Sequence, residues 1–222
     1  KFDKEKILTY IAGMTGADLQ KVARESSLFV FRNNLEYISQ EIVIEQINTI
    51  KYGSKITHKS IGKLMQSTAI HEAGHAVISR VLMPEVKIEQ ITVTPRADAL
   101  GFVSYDRDTN YENVTREDIK NKLCVAFAGR EAQLKKYGEE GFDSGASSDL
   151  NMATKYAHYA IASLGMGDST GYINISELSG NLFEKEIEAE LKLWLNEAQE
   201  KTKNLVEKHW ETISTLARLL EE

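Results

Sequence analysis

The chain has a single cysteine, Cys124, among its 222 residues. That excludes an internal disulfide and any zinc knot built from several cysteines. Cys124 sits in the apolar run Leu123-Cys124-Val125-Ala126-Phe127-Ala128, which predicts a buried, inert thiol. No apolar run is long enough to cross a bilayer, and the N-terminus lacks the pattern of a signal peptide. There is no long basic cluster, and the formal net charge of −6 argues against a nucleic-acid partner. Internal repeats and low-complexity tracts are also absent. What is present, 42% hydrophobic and 27% charged residues, is the composition of a globular protein. The length suits one large domain or two small ones. The charged opening, Lys1-Phe2-Asp3-Lys4-Glu5-Lys6, reads as the start of an excised fragment of something longer.

The chemically informative stretch is His71-Glu72-Ala73-Gly74-His75. On a helix, side chains at i and i+4 lie on one face, so two imidazoles at this spacing can hold two corners of a zinc tetrahedron. A glutamate beside the first histidine is placed to take a proton from an activated water. This is the H-E-x-x-H pattern of zinc-dependent peptide hydrolysis. The flanks agree with a helix: residues 61–70 hold no proline and one glycine, and Ala76 to Leu82 continue the apolar pattern. The plainer alternative is a buried helix whose histidines only pack.

Residues 5–50 read as a small helical unit. Thr15 is a candidate N-cap with Asp18 in the first turn, and Leu19, Val22, Ala23, Ser26 and Leu28 to Phe31 form an amphipathic helix that Asn33-Asn34 breaks. Ser39 is a candidate cap for a helix with the stripe Ile42, Val43, Ile47 and Ile50. The polar, glycine-containing Lys51 to Lys55 marks a boundary, giving domains at 1–52 and 53–222. Pro84 ends the histidine helix. Lys87 to Val93 alternates as a strand, and Phe102-Val103-Ser104-Tyr105 is a second strand. Such a hairpin either offers an edge to an extended peptide or simply covers the core. Thr115 and Asp118 open a helix predicted to run to about Leu134. Another follows Ala146 to Asp149 and stops at Gly165 to Asp168, and residues 181–222 are strongly helical. The fold class is therefore mainly α with a small β-sheet.

A catalytic zinc site needs a third protein ligand. His58, His158 and His209 have no spacing that marks them, and the setting of Cys124 disfavours it. A downstream carboxylate is the remaining class, with Glu131 and Asp149 as candidates, and position alone does not choose between them. Asp149 is also a natural first-turn acid, favoured by the helix dipole.

Several ordered motifs resemble one family. Gly13-Met14-Thr15-Gly16-Ala17-Asp18-Leu19 is similar to a motif in the lid subdomain of AAA ATPases. The histidine motif with its Ala-Gly interior, Pro95-Arg96 with Ala99-Leu100-Gly101, Ala128-Gly129-Arg130, and Gly145-Ala146-Ser147-Ser148-Asp149-Leu150 resemble successive peptidase motifs. Together they resemble the C-terminal part of an FtsH-type, membrane-anchored, ATP-dependent zinc protease. The resemblance implies an AAA lid subdomain at 1–52 and a mostly helical zinc metallopeptidase domain at 53–222. It implies Zn²⁺ held by His71, His75 and Asp149, with Glu72 as catalytic base. It further implies a homohexameric ring, polypeptide substrates, and a membrane anchor outside this stretch, with this part on the cytoplasmic side or its organelle equivalent. ATP and Mg²⁺ would enter only through an ATPase core, since no glycine-rich phosphate loop occurs here. Two departures stand out. Gln133 and Leu134 occupy the places of a glutamate pair common in the family, and Ala97 replaces a glycine after Pro95-Arg96. The competing functional class is a catalytically silent ring-assembly module, against which the complete set of expected catalytic side chains argues. A nucleotide-responsive regulatory fragment is a further class, disfavoured by the missing phosphate loop.

Overall fold

The computed structural model describes residues 2–56, 61–96, 100–105, 113–141, 144–178 and 183–221, without the side chains of 61–64. His58, Ala97, Ala99 and Asn181 lie outside the described residues. The chain divides into two compact units. One comprises residues 1–65 and 86–110, the other 66–85 and 111–222. The segment 86–110 thus groups with the N-terminal helices, a division that no single cut along the sequence reproduces.

Among the described residues, the first unit holds three whole helices, the start of a fourth and a hairpin. Helix α1 (Lys4–Ile11) is capped by the Asp3 side chain, which accepts from Lys6 N. Helix α2 (Gly16–Arg32) opens with a full capping box: Thr15 accepts from Asp18 N while the Asp18 carboxylate accepts from Thr15 N. It ends at Asn33, and Asn34 takes a left-handed φ of 51°. Ser39 caps α3 (Gln40–Tyr52) through Ile42 N, and Gly53, with φ 84°, ends it. A side chain at that φ would be strained, which is why glycine terminates the helix there. Strands β1 (Ile88–Thr92) and β2 (Phe102–Tyr105) pair antiparallel, with an irregularity between Ile88 and Gln90. Arg96, 3% exposed, reaches Glu45 of α3 with both terminal nitrogens, at 3.2 and 2.9 Å, and donates to Gly53 O. A buried guanidinium is tolerated only with such paired, bidentate partners.

The second unit is helical. It takes residues 66–82 of α4 (Ile61–Leu82), then α5 (Arg116–Tyr137), a 3-10 turn (Ser144–Ala146), α6 (Ser147–Ala162), a second 3-10 turn (Ile175–Glu177), α7 (Glu184–Lys208) and α8 (Trp210–Glu221). Helix α5 begins with another capping box, Thr115 with Asp118. It runs one turn beyond Leu134, because Lys135 and Lys136 suit the negative end of the dipole and Gly138, φ 76°, supplies the left-handed cap. It is buried nearly all round from Leu123 to Ala132, so it forms the axis of this unit. Its Leu123, Cys124 and Phe127 pack with Ala153, Ala157 and Ala160 of α6 and with Ile187, Trp194 and Ala198 of α7. The alanines on α6 let the two helices approach closely. Cys124 is 1% exposed, and burial pushes its thiol pKa up, as expected of an inert cysteine. The long C-terminal helical stretch breaks at His209, whose N–H bonds back to Leu205 O.

Candidate metal centre

Helix α4 is buried on every side from Thr68 to Ser79. The close approach of α5 dictates its composition: a Cβ on Gly74 would lie 2.5 Å from Ala128 O and 2.9 Å from the Ala132 Cβ. Glycine in the middle of the histidine motif is thus a packing requirement, accepted despite its low helix propensity.

On this buried helix His71 and His75 are each 7% exposed and Glu72 is 6% exposed. Asp149, in the first turn of α6, arrives from 78 residues along the chain. The Nε2 atoms of the two histidines lie 3.0 Å apart, and Asp149 Oδ2 lies 3.1 Å from His71 Nε2 and 3.4 Å from His75 Nε2. Among the described residues, these three form the one group of histidine, cysteine or acidic side chains with spacing suited to a metal ion.

The outer nitrogens decide the tautomers. His75 Nδ1 is 2.7 Å from the carbonyl oxygen of Val125, which can only accept, so Nδ1 donates. His71 Nδ1 lies 3.1 Å from Gln133 Oε1 and donates in the same way. Each neutral ring therefore turns its Nε2 lone pair inward, toward the other ring and toward a carboxylate oxygen. Such a cluster of lone pairs repels itself unless a cation or proton sits within it. Zinc bonds nitrogen and oxygen at about 2.0–2.2 Å, so the edges of its tetrahedron are about 3.3 Å. The three observed separations match that length, and two imidazoles with one carboxylate are a donor set suited to zinc. The residues fit the ion.

Without metal, a proton fills this role. Burial opposes a charge on His75, but the hydrogen bond and charge of Asp149, helped by Glu72, prevail and push its pKa up to about 9. Burial would raise Asp149, but its bonds to both histidines hold it well below the usual carboxylate range. Glu72 is pushed up, mainly by burial and in part by the Asp149 charge.

A single face of α5 supports the centre. Val125, Gly129 and Gln133 recur at four-residue spacing, and α5 runs antiparallel to α4, so Val125 meets His75 and Gln133 meets His71. Gly129 lies between, where a Cβ would come within 2.6 Å of both Nε2 atoms. The sequence marks Gly129 only as part of a motif and Gln133 only as a departure. A glycine inside an apolar helical run, four residues from polar or backbone partners on either side, is the signal that could have flagged this face. Glu131, the other carboxylate weighed from sequence, points elsewhere: it accepts from Gln199 of α7 at 3.2 Å. His158 is exposed on α6, and His209 sits half-buried at the α7–α8 junction.

Curated relatives are similar to this chain over most or nearly all of its length. An ATP-dependent zinc metalloprotease, FTSH 11, chloroplastic/mitochondrial, of Arabidopsis thaliana is 30% identical over 99% of this chain and 27% of its own length. The ATP-dependent zinc metalloprotease FtsH of Synechococcus sp. is 28% identical over 99% of this chain and 37% of its own. That of Aquifex aeolicus is 32% identical over 81% and 29%. The chain therefore spans about a third of the relatives it matches. None of the described helices is long and apolar enough to cross a membrane. The family described as Peptidase family M41 matches residues 62–222, a stretch that takes in α4, α5 and the acid at the head of α6. By that match the chain belongs to peptidase family M41.

Proposed function

We propose that this chain is the zinc-dependent endopeptidase portion of an ATP-dependent protease. The observation that carries the reading is the convergence of two histidine Nε2 atoms and one Asp149 oxygen within 3.4 Å, with both Nδ1 atoms already committed to acceptors. His71, His75 and Asp149 hold the zinc. Zinc bound there would supply Lewis acidity toward a water and toward the scissile carbonyl.

The chain's own residues do the rest. Glu72 is the general base. As the oxygen of water bonds to the carbonyl carbon, Glu72 takes the proton, and it delivers that proton to the amine nitrogen as the C–N bond breaks. Burial raises the affinity of Glu72 for the proton, which suits a group that must accept and return one near neutral pH. The packed walls of α4 and α5 keep bulk water from the imidazoles.

The domain assignment is part of the proposal: residues 1–52 as part of an AAA lid and 53–222 as the peptidase. The family match over residues 62–222 supports the peptidase part of it. So are the homohexameric ring, unfolded or misassembled polypeptides as substrates, and a membrane anchor outside this stretch; these rest on the resemblance to FtsH-type proteases. The test is cleavage of an unfolded protein such as casein with and without a chelator. Chelator-sensitive cleavage that Glu72→Gln abolishes while retaining zinc is the expected result. Full activity in Glu72→Gln would sink the assignment.

A further inference from the structure

We infer that Gln133 is a positioning residue of the centre: braced by Ser67, it holds His71 through Nδ1 and leaves Nε2 to face the metal. This rests on the zinc reading above.

Gln133 is 2% exposed. Its Oε1 lies 3.1 Å from His71 Nδ1, and its Nε2 donates to Ser67 Oγ at 2.7 Å. Ser67 and His71 are four residues apart on α4, so one amide from α5 spans two consecutive turns of α4. An amide, unlike a carboxylate, has two unlike ends. Turned over, it would present its NH₂ to Nδ1. The imidazole would then carry its proton on Nε2, the atom that faces Asp149 and His75. A protonated Nε2 cannot bind a metal. In the observed orientation the Ser67 oxygen accepts from the NH₂ end, which leaves Oε1 to accept from His71 Nδ1. Ser67 thus acts on the metal through two hydrogen bonds without touching any ligand atom. A glutamate would offer His71 Nδ1 an acceptor at either end.

The experiment measures zinc dissociation constants by competition with a chromophoric chelator, together with thermal melting of the metal-free protein. Gln133→Met keeps the volume and removes the hydrogen bonds to His71 and Ser67, and should raise the dissociation constant roughly 10–100-fold, the usual effect of losing an outer hydrogen bond to a ligating histidine. Gln133→Glu restores an acceptor to which Ser67 can donate, and should recover most of that loss. Ser67→Ala should weaken zinc in the same direction by a smaller factor, and lower metal-free melting modestly, since the buried Gln133 NH₂ loses that acceptor. Wild-type affinity in Gln133→Met would overturn the inference; if that variant does not fold, wild-type affinity in Ser67→Ala would. A wild-type chain that binds no zinc would overturn the zinc reading and this inference with it.

Discussion

Gly129 offers the most quantitative consequence of the geometry. A methyl group there would sit 2.6 Å from His71 Cε1, His71 Nε2 and His75 Nε2, where ordinary contact starts at 3.4 Å. In Gly129→Ala either α5 withdraws or both rings yield by about 0.8 Å. Exposed rings could swing aside cheaply, but these are tied through Nδ1 to Gln133 and Val125, and α5 is itself packed against α6 and α7. Overpacking of this kind costs about 1–3 kcal/mol of stability. The larger effect is on the metal, because ligand distances tolerate only about 0.2 Å. The zinc dissociation constant should rise by at least about 100-fold, beyond the usual loss of one outer-shell bond. Chelator competition reads the affinity, and thermal melting of the metal-free protein reads the packing cost. Gly16→Ala is the control: it has nothing within 4 Å of the new methyl, and should be neutral or add up to about 1 kcal/mol. Gly129→Ala binding zinc as tightly as wild type would refute the placement of α5 behind the histidines.

Two further predictions concern protons. Glu72→Gln should retain zinc and lower turnover on casein by about 10²–10⁴-fold, the range for losing a general base; a loss below tenfold would remove Glu72 from that role. The metal-free His75, raised to about 9 from its ordinary 6.5, must shed a proton before zinc can bind. Zinc affinity should therefore climb about tenfold per pH unit between 6.5 and 9 and flatten above. For metal-free stability the sign is opposite: a raised histidine contributes fully below 6.5 and loses that contribution as pH rises through 9. A zinc affinity independent of pH across this window would contradict the His75–Asp149 pairing.

Local chemistry was legible in the sequence. Thr15 with Asp18, Ser39, and Thr115 with Asp118 cap helices as their types predict, since a cap is decided within four residues. The alternation at Lys87 to Val93 and the run at Phe102 gave both strands. Longer-range features were less legible. The stripe Ile119, Leu123, Phe127 marks one face of α5, but the helix is buried nearly all round because α6 and α7 pack against it, and α4 meets it through Gly74 and Ala128. The pair His71 and His75 is written in a four-residue spacing. The approach of Asp149 across 78 residues is tertiary; position left it level with Glu131, and only the family resemblance favoured it. Gln133 and Gly129 were invisible as site residues for the same reason: their partners lie on another helix.

The most direct test of the centre is zinc content by elemental analysis, in parallel on the wild-type protein and on Asp149→Ala. The account predicts about one zinc per chain in the wild type and zinc lost on dialysis from the variant, whose two remaining imidazoles no longer complete a three-ligand site. Equal zinc in both would contradict it and move the third ligand away from Asp149.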